Sequence, residues 1–191
     1  KTIVLPDQYR TFAYEKINPL KGYLVKEQVI PGKAADLSGI TERMPIPAEQ
    51  EEVLKELLEY LSAHEIQALF LVTPTDFTYD EQKMCNYMKD YVESYGYHFL
   101  DMNAYREEIG IDFSTDFYDG GGHTNSLGAG KCTAFLEEYL IETFDLPDKR
   151  GQSAYASWDK AYAEWQEKAG QAKKVIAEKI ETGNYDGEAG E

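Results

Sequence analysis

Ile66-Gln67-Ala68-Leu69-Phe70-Leu71-Val72-Thr73-Pro74 is the stretch that decides the fold. Its first seven residues hold a single polar side chain, and Thr73-Pro74 stops them. The run is long enough for a strand and too short for a helix. A strand apolar on both faces is expected to lie between two helix layers. Upstream, Pro47 suits a first helical turn. Val53, Leu54, Leu57, Leu58 and Leu61 then recur at helical spacing as one apolar stripe. Downstream the cycle repeats. Asp80 is placed to cap a helix over 81–95, with Met84, Met88, Tyr91, Val92 and Tyr95 on one face and Gly96 at its end. Tyr97 to Leu100 reads as a second strand, closing at Asp101-Met102-Asn103. A weak helical segment over 104–109 and a loop over 112–124 follow. A strong helix over 126–144 turns Cys132, Phe135, Leu136, Tyr139, Leu140 and Phe144 inward. Alternating helix and strand with short links predicts an α/β protein, a three-layer α/β/α arrangement around a mostly parallel, flavodoxin-like sheet.

The regular block spans 47–146. Before it, residues 1–46 are broken by Pro6, Pro19, Pro31 and Pro45, so an irregular extension is expected, with one strand or hairpin around Gly22–Ile30. Ser38, in Asp36-Leu37-Ser38-Gly39, reads as a turn residue because no apolar strand precedes it. After it, 147–191 forms a third region. Tyr155, Trp158, Tyr162, Trp165, Ala169, Ala172, Ile176 and Ile180 repeat every three or four residues, which predicts one amphipathic helix over 153–181, with Gly170 as its weak point. Its aromatic stripe either packs on the α/β body or a second subunit, or stacks on sugar rings. Thr182 to Glu191 read as a disordered acidic tail.

Charge narrows the partners. The 191 residues carry a net charge of −16, and 47–146 alone account for that value, with five basic and twenty-one acidic side chains. Without clustered Lys and Arg, no nucleic-acid partner and no anionic membrane surface is expected. Cys85 and Cys132 sit beside apolar neighbours in predicted helices and read as core thiols. With three histidines and no CxxC, no metal site and no cofactor is expected. The chain opens Lys1-Thr2-Ile3-Val4-Leu5, and the simplest expectation is that a segment upstream has been cut away.

One segment carries chemistry. Asp112-Phe113-Ser114-Thr115-Asp116-Phe117-Tyr118-Asp119-Gly120-Gly121-Gly122-His123-Thr124-Asn125 puts an acid and a histidine in a glycine-rich turn before a helix. Ligand sites of open α/β folds lie beyond the carboxyl ends of the strands. A carboxylate beside a histidine orients the imidazole and stabilises the imidazolium formed during acyl transfer. His123 is therefore a candidate general base and Asp119 its orienting acid. Thr73 and Thr75, past the first core strand, are candidate substrate contacts. Asn125 is a third, with helix capping as its structural alternative, shared with Ser126.

The run STDFYDGGGHTNSLGAGKCTAFLEEYL, behind the strands ending Val72-Thr73-Pro74 and Leu100-Asp101-Met102-Asn103, resembles the C-terminal block of the SGNH (GDSL-type) hydrolase superfamily. It is most similar to the cell-envelope branch of D-alanyl-lipoteichoic-acid and alginate acetylation proteins. The resemblance covers about residues 47–145. It implies an SGNH-like serine esterase or O-acyltransferase, with His123 as base and Asp119 as its acid. It also implies an acylated glycan or cell-wall polymer as partner and a location outside the cytoplasm. Two departures stand out. Asp119 and His123 are separated by three glycines where the D-x-x-H motif has two residues; the extra glycine either bulges to restore the contact or displaces the pair. No serine has the strand–G-x-S–helix setting of the nucleophile, so the chain reads as the C-terminal part of a longer protein. The alternative is a non-catalytic SGNH-like glycan-binding or assembly module, and self-association through 153–181 is a further expectation.

Overall fold

The computed structural model describes residues 18–187. The expectations for Lys1 to Leu5, for Pro6 and for the last four residues lie outside the described residues. Helix α1 (Ala48–Ala63) leads to strand β1 (Leu69–Val72), then helix α2 (Tyr79–Ser94) and strand β2 (His98–Asp101). A 3-10 turn (Met102–Tyr105) runs into the short helix α3 (Arg106–Ile109). Helix α4 (Ser126–Thr143) follows the glycine-rich loop, and a second 3-10 turn (Ser153–Tyr155) opens helix α5 (Ala156–Thr182).

The protein is a mixed helix–strand fold around a two-stranded parallel sheet. Leu69 pairs with His98 and Val72 with Asp101. Parallel neighbours need a crossover of a dozen or more residues, and the sixteen-residue α2 supplies it. Alternation along β2 splits the core in two. Phe99 joins Leu58, Cys85 and Val92, with Phe70 and Val72 of β1 against them. Leu100 joins Met102, Ile109 and Cys132, with Leu69 against them. Helices thus flank β2 on both faces. The broader sheet read from the sequence is not seen, because two strands are formed among the described residues. β1 is also shorter than Ile66–Val72 and incompletely covered. Leu71 shares a face with Leu69 yet is 39% exposed.

Several local expectations are corrected by packing. The apolar stripe of α1 is wider than the surface it meets: Leu58 and Leu61 are buried, whereas Val53 and Leu57 face outward. Thr78, not Asp80, caps α2. Its hydroxyl accepts from Glu81 N–H while the Glu81 carboxylate accepts from Thr78 N–H, a closed capping box. Gln82, Cys85 and Val92 form the buried side of that helix, while Met84, Met88 and Tyr91 are half-buried and Tyr95 is exposed. Residues 22–30 form no strand. They are tied to the glycine-rich loop and the start of α4, with Ser126 N–H donating to Lys26 O and Ile30 N–H to Phe117 O.

In α5 the single predicted stripe splits. Ala169, Ala172 and Ile176 are buried, and α5 packs on α4. Trp158 and Tyr162 project outward, 58% and 57% exposed. The helix passes through Gly170 without interruption, with Ala169 and Ala172 buried on either side of it. The described part of the tail is tied down as well: Gly183 takes a left-handed conformation, and the Asp186 carboxylate accepts from Val29 N–H and from Lys179. Cys85 and Cys132 are free, buried thiols, as the sequence predicts. No described helix is long and apolar enough to cross a membrane.

Candidate functional site

The loop between α3 and α4 folds as a hairpin. Gly110, in the left-handed region, ends α3, and a compact turn follows. Asp116 anchors it from the inside. Its fully buried carboxylate accepts from Asp112 N–H at 2.8 Å and from Lys131 Nζ at 2.7 Å. That use removes Asp116 as a partner for His123. Phe117 is also fully buried, stacks on Phe113 and forms an antiparallel bridge to Thr124, while Tyr118 N–H donates to His123 O. Asp119 and His123 therefore stand on facing arms, with Gly120-Gly121-Gly122 as the tip.

The tip needs glycine for two reasons. Gly120 and Gly121 have φ of 88° and 135°, a region L side chains rarely adopt. Space is also short. A side chain at Gly121 would meet Asp76, whose N–H donates to Gly121 O at 3.1 Å. From the other side Gly32 approaches so closely that a Cβ there would lie 1.9 Å from Gly120 O. The exit loop of β1 and the 30–32 segment clamp the tip between them.

Within this frame the three-glycine tip brings Asp119 and His123 into contact. Asp119 Oδ1 accepts His123 N–H at 2.7 Å, and Asp119 Oδ2 lies 2.5 Å from His123 Nδ1. Burial works against the Asp119 charge. The His123 ring and backbone N–H groups, the His123 charge and Gly122 N–H outweigh it, so the carboxyl sits below its ordinary range. An ionised carboxylate only accepts, so Nδ1 carries the proton. The basic lone pair of neutral His123 is then on Nε2. The His123 side chain is 71% exposed, while Asp119 is half-buried. Tyr118 lies nearly parallel to the imidazole at 5.7 Å between centroids, and Lys26 Nζ sits 4.8 Å from the Tyr118 ring centre.

Other candidates are placed as follows. Asn125 is completely buried: its Oδ1 caps α4 by accepting from Leu127 and Gly128 N–H, and its Nδ2 donates to Gln28 O and Thr115 O. Its contacts are thus to the chain itself, the capping alternative. Thr73 is exposed at the end of β1. Thr75 is half-buried, its N–H donating to Asn103 Oδ1 and its carbonyl accepting from Arg106. It precedes Asp76, which grips the tip. Among the described residues, no serine or threonine hydroxyl is hydrogen-bonded to the His123 ring. Ser126 is buried and accepts from Lys26 N–H, and Ser38 donates to Asp36 within a turn. Neither thiol replaces a hydroxyl. Burial and the Asp101 charge push the Cys85 thiol far up, and burial with Asp116 raises Cys132 to about 11.

Sequence reasoning missed Gly32, Asp76, Lys26 and Tyr118. Pro31-Gly32 and the Thr73-Pro74-Thr75-Asp76 exit loop were signals for the first two; Lys26 reaches the loop only through tertiary packing. No protein family, no curated protein and no solved structure matches the chain. What the fold and site define is a carboxylate-oriented imidazole, with its basic nitrogen toward solvent, held beyond the carboxyl end of a parallel strand pair.

Proposed function

We propose that this chain carries the Asp–His half of an SGNH-like serine esterase or O-acyltransferase acting on acylated cell-surface glycans or teichoic acids outside the cytoplasm. The observation that carries the reading is the two-point grip of Asp119 on His123, with Nδ1 engaged and Nε2 free. In that role Nε2 takes the proton of a serine hydroxyl as its oxygen attacks the ester carbonyl. Asp119 holds the ring and stabilises the resulting imidazolium, which returns the proton to the leaving alcohol oxygen. Water or an acceptor hydroxyl then releases the acyl group by the same relay. The reading requires a serine hydroxyl delivered to Nε2, which the described residues do not supply. It also includes a wider three-layer α/β/α sheet. Exposed Leu71 on β1 and exposed Val53 and Leu57 on α1 support that extension, as apolar surfaces a further layer would cover. Fluorophosphonate labelling of the full-length protein tests the reading. A serine adduct that disappears in His123→Ala is expected; labelling indifferent to His123 overturns it.

A second reading, a non-catalytic glycan-binding or assembly module, is favoured by the outward aromatics of α5. Trp158, with Tyr155 beside it, lines a shallow cavity at the start of that helix. Glycan-array binding abolished by Trp158→Ala, without ester hydrolysis, supports that module. Light scattering of the wild-type chain against Trp158→Ala tests self-association through the exposed part of the same helix.

A further inference from the structure

Residues 26–32 brace the glycine-rich hairpin, and their hydrogen bonds point to two sides. Lys26 N–H donates to Ser126 Oγ, and Lys26 O accepts from Ser126 N–H. Gln28 O accepts from Asn125 Nδ2 at 3.1 Å. Ile30 N–H donates to Phe117 O at 3.0 Å and Gly32 N–H to Phe113 O at 2.7 Å. These four residues thus serve the hairpin and the start of α4. Glu27 and Val29, between them, turn the other way. Glu27 O accepts from Lys179 Nζ at 2.9 Å. Val29 N–H donates to Asp186 Oδ2 at 2.7 Å, and Val29 O accepts from Asp186 N–H at 2.9 Å.

The second side is the end of the described chain. Lys179 lies in the last turn of α5, and Asp186 follows Gly183, whose left-handed conformation ends that helix. Lys179 Nζ donates to both Asp186 oxygens, at 3.0 and 2.8 Å, as well as to Glu27 O. An ammonium has three N–H donors, so helix, tail and the 27–29 segment close into one ring of bonds. Lys179 and the Val29 N–H hold the Asp186 carboxyl below its ordinary range. An exposed ion pair by itself contributes little. Here the carboxylate also accepts a backbone N–H, a charge-assisted bond of the stronger kind. Val29 is fully buried beneath it. Gly187 lies against Ile30, with the Cβ position 3.4 Å from that side chain.

We infer that Lys179 and Asp186 are positioning residues for the Asp119–His123 pair: they fasten Glu27 and Val29, and so keep Gly32 against Gly120 at the tip of the hairpin. The route is short and built of direct contacts. Val29 adjoins Ile30, which bonds to Phe117, and it lies three residues before Gly32. The Cβ position of Gly32 stands 1.9 Å from Gly120 O, and Gly120 adjoins Asp119. Asp76 holds the opposite side of the tip through Gly121 O. With the clasp released, one jaw of that clamp is slack, and the tip is free to shift its two arms relative to each other. Lys179 and Asp186 make no hydrogen bond to Asp119 or His123, so their action runs through 27–32. The clasp sets the geometry of the pair whether or not the pair serves acyl transfer.

The test is NMR on the full chain, following the pH midpoint of the Asp119 carboxyl and the hydrogen exchange of the His123 backbone amide, which donates to Asp119 Oδ1. Asp186→Ala removes the carboxylate, and Lys179→Met removes the ammonium while keeping the apolar stem. Each should raise the Asp119 midpoint toward its ordinary value and speed His123 exchange about fivefold, the fold-change of one hydrogen bond. Asp186→Asn keeps an oxygen for Val29 N–H and should recover part of the difference. Lys168→Ala breaks an exposed ion pair with Glu164 on the same helix and should leave both readings at wild-type values. A role confined to stability would lower the unfolding midpoint without moving the Asp119 midpoint in the folded chain. Movement of the Asp119 midpoint in Asp186→Ala or Lys179→Met, with Lys168→Ala unmoved, upholds the inference. Wild-type readings in both clasp variants, or an equal change in Lys168→Ala, overturn it; where Asp186→Ala does not fold, Lys179→Met decides. The readings need neither a serine nor a substrate, so they stand apart from the labelling result.

Discussion

Gly32→Ala puts the clamp on the glycine-rich hairpin to a direct test. The new methyl carbon would stand 1.9 Å from Gly120 O and 2.5 Å from the Gly120 carbonyl carbon. Both are backbone atoms, so no side-chain rotation relieves the clash. Optimal separation of non-bonded heavy atoms is about 3.5 Å, so the tip must retreat by roughly 1.6 Å. The 30–32 segment cannot yield freely, because Ile30 N–H donates to Phe117 O at 3.0 Å and Gly32 N–H to Phe113 O at 2.7 Å. Overpacking of this kind costs about 1–3 kcal/mol, and each backbone hydrogen bond lost adds about 1 kcal/mol, so a destabilisation of about 2–3 kcal/mol is expected. Urea unfolding measures it, with Gly39→Ala as the control. Gly39 is exposed and has nothing within 4 Å of an added Cβ, so its change should stay within about 0.5 kcal/mol. Retreat of the tip should also loosen the Asp119–His123 grip, and the Asp119 carboxyl should titrate closer to its ordinary range by NMR. If Gly32→Ala unfolds at the same urea concentration as Gly39→Ala, with the Asp119 titration unmoved, the clamp is not what positions the pair.

Three further outcomes follow from the same contacts. Asp119 titrates below its unfolded value, so the stability it contributes is fully present above about pH 4 and is lost as pH falls through its depressed folded value. Asp119→Asn should therefore narrow the gap in melting temperature to wild type as the pH is lowered, and a gap independent of acid would refute the assignment. Asn125→Ala removes the α4 cap and leaves the Gln28 and Thr115 carbonyls without their buried donor. A loss of about 2–4 kcal/mol in chemical denaturation is expected, and a loss under about 0.5 kcal/mol would contradict its place in the core. Ile176→Ala should cost about 2–5 kcal/mol, while Trp158→Ala, on the outward part of the same helix, should leave the thermal midpoint within a degree or two. Equal losses would mean that the aromatic half of α5 is packed after all.

Much of the local architecture was legible in the sequence. A seven-residue run with one polar side chain, stopped at Thr73-Pro74, is too short to pack as a helix, and sixteen-residue amphipathic stretches on either side must turn a face inward; these patterns determine helix–strand alternation wherever the chain folds. Gly96 and Asn125 marked element ends for conformational and capping reasons that act within a few residues. The pairing of Asp119 with His123 was legible as chemistry but not as geometry. Three consecutive glycines permit many loop shapes, and only the close approach of Gly32 on one side and Asp76 on the other leaves one. Tertiary packing alone decided the rest: that Val53, Leu57 and Trp158 face outward although they share a helical period with buried residues, and that Asp116 is a buried anchor for Lys131. Periodicity reports which side chains are apolar along one element, whereas burial depends on whether another element arrives to cover them, and that is set by contacts between residues far apart in the chain.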